Sequence, residues 1–249
     1  MNFMGRNLLS MADMSPDEIT ELLYQARAIK TGKETPNLQG KSLGMIFEKP
    51  SLRTRVSFAV AMNQMGGSCL DLGKEIGIGS REPFEDVMMV LSRYFDALAM
   101  RTYSQKRLEN LAGVANIPVI NALSDQEHPC QALADVLTIS EYVDHSDGVE
   151  LAYVGDANNV ASSLAIAAAS LGMNSRFIFP AGYDMPEWVA REASARAARS
   201  KAKFLITNDL RSSLSGANVV YTDVWVSMGQ EDQSDQRITD FDGYKIDYD

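Results

Sequence analysis

Residues 47–58, FEKPSLRTRVSF, place hydroxyl and guanidinium groups where an apolar run gives way to a helix-like pattern. The backbone N–H groups at a helix start attract anions, and the helix dipole adds to the attraction. Ser51 and Thr54 can donate hydroxyl hydrogen bonds. Arg53 and Arg55 can make planar, charge-assisted contacts with a phosphate or a carboxylate. The stretch lacks the glycines of a P-loop, so it fits a capped helix with two solvated arginines as well as an anion site.

Three further polar residues follow apolar runs. His128 and Gln131 lie in EHPCQALAD, and Arg101 ends the run DALAMR. Parallel sheets bind ligands at the carboxyl ends of their strands, where these residues are expected. A histidine there can donate a hydrogen bond to a carbonyl oxygen or act as an acid or base. Taken alone, a turn histidine and a surface arginine are the commoner roles of such residues.

The second half of the chain offers amides and an acid. Asn158 and Asn159 in YVGDANN can hydrogen-bond a carboxylate at a helix start. YVGDANN resembles a nucleotide-binding turn but lacks the G-x-G-x-x-G spacing, so a dinucleotide site is weakly supported. In TDVWVSMG, Asp223 can hold an ammonium group, with Ser227 and Met228 close behind. A polar strand end before a loop is the alternative interpretation.

Short apolar runs alternate with amphipathic stretches along the chain, and this predicts an α/β fold with parallel sheets. We expect two Rossmann-like domains, each a parallel sheet flanked by helices. The polar stretch DHSDG divides them into residues 1–145 and residues 146–249. No helix-like pattern follows the last predicted strand, ANVVYTDVW, so the second domain is expected to be incomplete at its C-terminal end.

Two helices carry clear end signals. Ser15, Pro16 and Glu18 form the pattern of a capping box ahead of an apolar face. The Gly66–Gly67 pair predicts the end of the helix that begins near Arg53.

The composition limits the classes of function. The chain has 249 residues and a formal net charge of −10, which argues against non-specific nucleic-acid binding. No stretch has the apolar length of a membrane helix or the pattern of a signal peptide, so we expect no membrane partner. The two cysteines, Cys69 and Cys130, are expected to be reduced thiols in the cytoplasm. No His/Cys cluster has metal-ligand spacing, so no metal or other cofactor is predicted.

The motifs FEKPSLRTRVSF, MRT, HPCQALADVLT, GDANN and DVWVSMGQE, in this order, resemble the ornithine carbamoyltransferases of the aspartate/ornithine carbamoyltransferase family. The resemblance runs from about Asn7 to about Tyr244. The first and third motifs are shared with the aspartate carbamoyltransferases, and Ser-Met-Gly is what points to ornithine. The resemblance implies transfer of a carbamoyl group from carbamoyl phosphate to the side-chain amine of L-ornithine, giving L-citrulline and phosphate.

The resemblance also assigns residues to the two substrates. It assigns carbamoyl phosphate to Ser51, Leu52, Arg53, Thr54, Arg101, His128 and Gln131. It assigns ornithine to Asn158, Asn159, Asp223, Ser227 and Met228. Arg101 and His128 would stabilise the carbonyl oxygen as the amine attacks, and Arg53 would stabilise the leaving phosphate. Members of the family are typically homotrimers, so a homotrimer is expected here. The resemblance also implies a role in arginine metabolism.

The sequence departs from the family pattern in several places. Family members continue for some tens of residues beyond this sequence, through a His-Cys-Leu-Pro motif that contacts the reacting amine. We therefore expect impaired turnover by this chain. Leu52 replaces a common threonine, and Ala59 replaces an acidic residue. Gly77 stands where many members have a glutamine that reaches the neighbouring subunit.

Other functions stay open. A non-catalytic paralogue could bind carbamoyl phosphate without transferring its carbamoyl group. A carbamoyltransferase could use another amine, such as putrescine or an acylated ornithine, although Asp223 with Ser-Met-Gly favours a free amino acid. A nucleotide-binding oxidoreductase is a more distant alternative, because the glycine fingerprint is missing.

Overall fold

The structure, a computed structural model, describes residues 3–73, 82–143, 148–226 and 231–246. It contains two four-stranded sheets of parallel strands with flanking helices, which confirms the predicted α/β class. The chain divides into a first unit, Met1–Cys130, and a second unit, Gln131–Asp249. The predicted boundary between residues 145 and 146 falls outside the described residues and stays a prediction.

The first unit alternates strands and helices along the chain. Its strands are β1 (Ser42–Phe47), β2 (Ser68–Asp71), β3 (Ala97–Arg101) and β4 (Val119–Leu123). Its helices are α1 (Pro16–Lys30), α2 (Arg53–Gln64), α3 (Phe84–Tyr94) and α4 (Gln105–Val114), and α5 (Pro129–Tyr142) begins at its end. The strand order is β2-β1-β3-β4, so β1 and β3 are the central strands.

Helix α1 shows how local signals set an element. The Ser15 side chain accepts a hydrogen bond from the Glu18 N–H, and the Glu18 side chain accepts one from the Ser15 N–H. This reciprocal pairing satisfies two donors that a helix start otherwise leaves open, and Pro16 supplies a fixed φ at the first position. The predicted capping box is confirmed. Helix α2 also ends as predicted, with Gly66 at φ 80° just after it.

Both faces of the central strands β1 and β3 are buried, as expected for a parallel sheet between helices. Leu98 and Met100 pack on one face with residues of α3 and α4. Met45 and Phe47 pack on the other face, against side chains of α2. Gly44 allows close packing, because a Cβ there would lie 2.7 Å from a methyl carbon of Leu98.

The N-terminal segment lies along the free edge of β4. Leu8 forms a parallel bridge with Ile120, and its N–H donates to the Val119 carbonyl at 2.9 Å. The Asn7 side chain accepts from the Val119 N–H at 2.8 Å. The segment therefore covers part of an edge whose backbone groups would otherwise be open to another chain.

The second unit repeats the alternation. Its strands are β5 (Glu150–Val154), β6 (Asn174–Ile178), β7 (Phe204–Thr207) and β8 (Val219–Thr222). Its helices are the remainder of α5, α6 (Asn159–Ser170), α7 (Glu187–Ser200), α8 (Leu210–Leu214) and α9 (Ser234–Asp240). The strand order is β7-β6-β5-β8, so β5 lies at the centre beside β8.

Helix α6 is buried along almost its whole length, since every residue from Val160 to Ser170 is buried. Alanines and serines allow the close approach of α7, and Arg196 of α7 donates to the Ser170 hydroxyl at 3.0 Å. Within the described ranges, no helix combines the length and apolarity needed to cross a membrane.

The expectation that no helix follows the last strand is wrong, because α9 lies beyond β8. The sequence of α9, SDQRITD, has no apolar period, and it is anchored instead by buried Arg237 and by Phe241 just after the helix. Phe241 packs against the rings of Tyr183 and Trp225. Apolar side chains of the second sheet do stay exposed, among them Leu205 and Val220.

Candidate active site

The start of α2 presents the hydroxyl and guanidinium groups predicted from the sequence. Arg53 begins the helix, and the residue before it, Leu52, provides no side-chain cap. Ser51 and Thr54 are half-buried, whereas Arg53 and Leu52 are exposed. An uncapped helix start with adjacent hydroxyls and a cation can bind an anion through backbone N–H groups.

Arg55 has a different environment from Arg53. One of its terminal nitrogens lies 2.6 Å from a carboxylate oxygen of Asp71, at the end of β2. Its guanidinium also lies over the Phe47 ring, 4.9 Å from the centroid. These contacts hold the Arg55 side chain against the ends of β1 and β2, so its role is to support the start of α2 on the sheet.

Arg101 lies at the carboxyl end of β3 and is 7% exposed. Burial lowers the pKa of its guanidinium, but an arginine stays charged in a protein. Its Nε is buried and makes no hydrogen bond within the part of the chain that the structure describes. A desolvated guanidinium with an open donor is a strong site for an oxyanion or a carbonyl oxygen.

Glu48 joins the loop after β1 to the end of β3. Its N–H donates to the Arg101 carbonyl at 2.9 Å, and its carboxylate accepts from the Thr102 hydroxyl at 2.5 Å. The same carboxylate lies 3.1 Å from the Arg107 guanidinium. Glu48 therefore fixes the segment that leads to Ser51 against the strand that carries Arg101. This role was not predicted from the sequence, although Glu48 is an acid inside a basic motif.

His128 lies in the turn between β4 and α5 and is 8% exposed. Burial lowers the pKa of its imidazole to about 4, and the charge of Arg101 adds to the effect. The ring is therefore neutral near pH 7, with one nitrogen as a donor and the other as an acceptor. Arg101 pairs in register with Leu123 of the neighbouring strand β4, and His128 follows Leu123 by five positions, so both predicted residues lie at the carboxyl ends of adjacent strands.

A buried polar network holds the turn that carries His128. Glu127 accepts hydrogen bonds from the Ser10 hydroxyl and from the Met11 N–H. The Ser124 hydroxyl donates to the Gln105 side chain at 2.7 Å and accepts from the Glu127 N–H at 3.0 Å. Such a network makes the turn rigid, because any movement of the turn would break hydrogen bonds between buried polar groups.

Gln131 lies in the first turn of α5, three residues after His128. Its side-chain amide donates from Nε2 to Oδ1 of Asp135 at 2.9 Å. Burial raises the pKa of the Asp135 carboxyl, while the Gln131 amide and the Tyr221 hydroxyl lower it and the Asp223 charge raises it. The predicted residue Gln131 is thus held by Asp135, an acid with no role predicted from the sequence.

Asn158 and Asp223 meet in the second unit. Asn158 caps α6, and its Oδ1 accepts from the Val160 and Ala161 N–H groups at 2.9 and 3.1 Å. Its Nδ2 donates to a carboxylate oxygen of half-buried Asp223 at 2.8 Å. The amide oxygen of Asn158 caps α6 and its amide nitrogen supports the Asp223 carboxylate. Both ends of the amide therefore already have partners within the protein. Asn159 is the next residue, at the start of α6.

A buried ion pair connects the two loops that carry these residues. Arg237 of α9 lies 2.9 Å from a carboxylate oxygen of Asp156, and it donates to the Trp225 carbonyl at 3.0 Å. Asp156 precedes Asn158 by two positions, and Trp225 follows Asp223 by two. Burial raises the pKa of the Asp156 carboxyl, and the Arg237 charge lowers it. The pair therefore fixes both loops at the carboxyl edge of the second sheet.

Some predicted residues lie outside the described residues. Ser227 and Met228 fall in the range 227–230, and Gly77 falls in the range 74–81. Among the residues that the structure does describe, no group of three or more His, Cys, Asp or Glu side chains could hold a metal ion.

Two family descriptions match the chain. The carbamoyl-P binding domain of aspartate/ornithine carbamoyltransferase matches residues 6–141. The Asp/Orn binding domain of the same family matches residues 147–249. Together the two matches cover nearly the whole sequence.

Curated proteins and solved structures agree with these matches. The chain is 49% identical to an ornithine carbamoyltransferase of a Nostoc species, over 98% of this chain and 79% of that protein. It is 44% identical to one from Listeria monocytogenes, over 96% of this chain and 77% of that protein. The solved ornithine carbamoyltransferase of Pyrococcus furiosus superposes with a TM-score of 0.94 at 43% identity, over 99% of this chain and 80% of that one. The anabolic enzyme of Campylobacter jejuni gives a TM-score of 0.92 at 36% identity, over 97% and 80% of the two chains.

Proposed function

The chain belongs to the aspartate/ornithine carbamoyltransferase family, and we propose that it transfers the carbamoyl group of carbamoyl phosphate to the side-chain amine of L-ornithine. The products are L-citrulline and phosphate. The observation that carries the proposal is that buried Arg101 and buried, neutral His128 lie at the carboxyl ends of the adjacent strands β3 and β4. Two desolvated donors side by side fit a carbonyl oxygen that gains negative charge.

Carbamoyl phosphate is assigned to the first unit and the start of α5. The uncapped start of α2 receives the phosphate through backbone N–H groups, aided by the Ser51 and Thr54 hydroxyls. Arg53 adds a charge-assisted contact to the same group. Leu52 contributes its backbone, since its side chain is exposed. Gln131 contacts the carbamoyl amide.

The reaction is an acyl-type transfer. The neutral side-chain amine of ornithine attacks the carbamoyl carbon, and a C–N bond forms while the carbonyl oxygen gains charge. Arg101 and His128 donate hydrogen bonds to that oxygen. The carbamoyl C–O bond to phosphate then breaks, the leaving phosphate takes the electron pair beside Arg53, and the attacking nitrogen passes one proton to the departing phosphate. Carbamoyl phosphate is an activated anhydride, so the proposal relies on positioning and electrostatics and assigns no role to a cofactor.

Ornithine is assigned to the second unit. Asp223 holds the α-ammonium group, and Asn158 fixes the orientation of that carboxylate. Asn159 and the backbone at Met228 receive the α-carboxylate, and Ser227 assists at the ammonium. The proposal for Ser227 and Met228 comes from the resemblance alone.

Two further copies of the chain are the proposed partners, forming a homotrimer. Helix α2 supports this, because it has no buried residue in the single chain and exposes Val56 and Val60. Leu70 of the neighbouring strand is exposed too. Apolar side chains gathered in this way mark a surface for association. Light scattering after size-exclusion chromatography would measure the assembly, and a monomer at micromolar concentration would overturn this part of the proposal. The proposed setting is the cytoplasm, in arginine metabolism.

Citrulline formation tests the proposed reaction. The purified chain is given carbamoyl phosphate with ornithine, putrescine or N-acetylornithine, and citrulline or the corresponding product is measured. A second protein is a fusion of this chain with the C-terminal segment of the Nostoc relative. That relative is longer than this sequence. We expect turnover with ornithine, at a lower rate for the shorter chain. Binding of carbamoyl phosphate without turnover in both proteins would favour the non-catalytic paralogue, and turnover with another amine alone would replace ornithine as the substrate.

A further inference from the structure

Helix α5 carries an amide and a carboxyl one turn apart. Nε2 of Gln131 donates to Oδ1 of Asp135 at 2.9 Å, and both residues are half-buried. An amide side chain has its donor and its acceptor on opposite sides of one carbon. When Asp135 holds the nitrogen, the Oε1 atom of Gln131 must face the other way.

The groups around Asp135 come from two strands besides its own helix. Tyr221 of β8 acts on the carboxyl through its hydroxyl, and the charge of Asp223 lies just beyond the same strand. Tyr153 of β5 also senses the charge of Asp135. Asp135 is therefore held by Gln131 of its own helix and by Tyr221 of β8.

We propose that Asp135 is a positioning residue for carbamoyl transfer, because its carboxylate holds the Gln131 amide in the one orientation that presents Oε1 to the substrate. The inference rests on the proposed function, since it assumes that Gln131 touches carbamoyl phosphate. The carbamoyl nitrogen of that substrate carries two N–H donors and no usable acceptor. Oε1 can accept from it, whereas a reversed amide would place two donors face to face and lose the hydrogen bond.

The carboxylate is suited to this task because an ionised acid can only accept hydrogen bonds. An asparagine at position 135 has the same shape, but it can either accept from Gln131 or donate to it. It therefore permits both orientations of the Gln131 amide. A glutamate keeps an acceptor-only group on a longer side chain.

The test compares two anions that differ by the carbamoyl group. Calorimetric titration measures the binding of carbamoyl phosphate and of inorganic phosphate to the wild-type chain and to Asp135→Asn. We expect Asp135→Asn to weaken carbamoyl phosphate binding about tenfold and to leave phosphate binding unchanged. Asp135→Glu should recover most of the loss. Asp235→Asn makes the same chemical change at an exposed position of α9 and serves as the matched control.

A double-mutant cycle separates positioning from a structural role. In a Gln131→Ala background, Asp135→Asn should cause no further loss of carbamoyl phosphate binding, because there is no amide left to orient. Equal weakening of carbamoyl phosphate and phosphate, or losses that add in the double variant, would overturn the inference. If Asp135→Asn does not fold, Asp135→Ser removes the same carboxylate and takes its place. A wild-type chain that binds phosphate but not carbamoyl phosphate would overturn the proposed function itself, and the inference with it.

Discussion

In the first unit the groups assigned to the substrate are cations and hydrogen-bond donors, whereas the second unit gathers carboxyls around Asp223. Burial lowers the pKa of both Arg101 and His128 in the first unit. Burial raises the pKa of both Asp135 and Asp156 in the second. Desolvation acts against the charged form in every case, so the sign of each shift follows from the type of group.

The difference is consistent with the proposal that one acidic chain binds both an anion and an ammonium group. The formal net charge of −10 says nothing about a single pocket. The first unit fits an anion with backbone donors and a desolvated guanidinium. The second fits an ammonium group with Asp223, and it neutralises Asp156 with Arg237.

The largest expected effect breaks the charge balance of the second unit. Arg237→Met leaves Asp156 buried without its cation, and we expect a loss of about 3–5 kcal/mol in the free energy of unfolding. Urea unfolding would measure it, with Arg211→Met at an exposed position of α8 as the control. Hydrogen exchange should show lost protection in β5 and β8 while β1 and β3 keep theirs. Adding Asp156→Asn should recover part of the loss, and a variant as stable as the wild type would contradict this account.

The next effect removes a donor from the first unit. His128→Ala is expected to lower kcat for citrulline formation by about 10²–10³-fold, the usual effect of losing one oxyanion donor. The KM for ornithine should change little, because His128 is assigned to the carbonyl oxygen. Steady-state kinetics with both substrates would show this. An unchanged kcat would remove His128 from the mechanism.

The pH dependence of stability sharpens the contrast between the units. The His128 pKa falls from 6.5 in the unfolded chain to about 4 in the fold, so the unfolded chain binds more protons between these values. The stabilisation is therefore full above pH 6.5 and is lost as the pH falls towards about 4, by on the order of 3 kcal/mol. Unfolding curves of the wild type and His128→Gln across this range would measure the difference. Parallel curves would show that His128 titrates normally.

The pKa of Asp135 shifts in the opposite direction to that of His128, so its effect on stability has the opposite pH dependence. Its folded pKa is raised above 3.8, so the native chain binds the extra proton between the two values. The contribution of Asp135 to the free energy of unfolding is present below its pKa in the unfolded chain and is lost as the pH rises through its pKa in the folded chain. Asp135→Asn should remove this dependence in the same unfolding experiment, and an unchanged profile would contradict the raised pKa.

The smallest expected effect concerns the support of the first unit. Glu48→Ala removes the acceptor for the Thr102 hydroxyl and the partner of Arg107. We expect about 1–2 kcal/mol of weaker carbamoyl phosphate binding, because the loop leading to Ser51 loses its tie to the strand end. Calorimetric titration would measure it. Weaker ornithine binding with unchanged carbamoyl phosphate binding would place the role of Glu48 elsewhere.

The sequence predicted elements and site residues where the signal was local. The capping box at Ser15 and Glu18 predicted the start of α1, and the apolar runs predicted strands whose ends place Arg101 and His128. Parallel strands end at one edge, so position in the chain was enough to predict that these two residues lie together.

The rest depended on tertiary contacts. Helix α9 has no apolar period, and the burial of Arg237 comes from Asp156, 81 positions away. The support given by Glu48 likewise links residues more than fifty positions apart. Propensity and periodicity report on neighbours along the chain, so they could not predict the roles of Arg237 and Glu48.

The bridge between Leu8 and Ile120 has a consequence for synthesis on the ribosome. The segment that closes the edge of β4 emerges before that strand, which lies 112 residues later. At usual elongation rates this interval is roughly 6–22 s, during which the segment has no partner strand. The pairing of Leu8 with Ile120 therefore forms only after β4 has been synthesised.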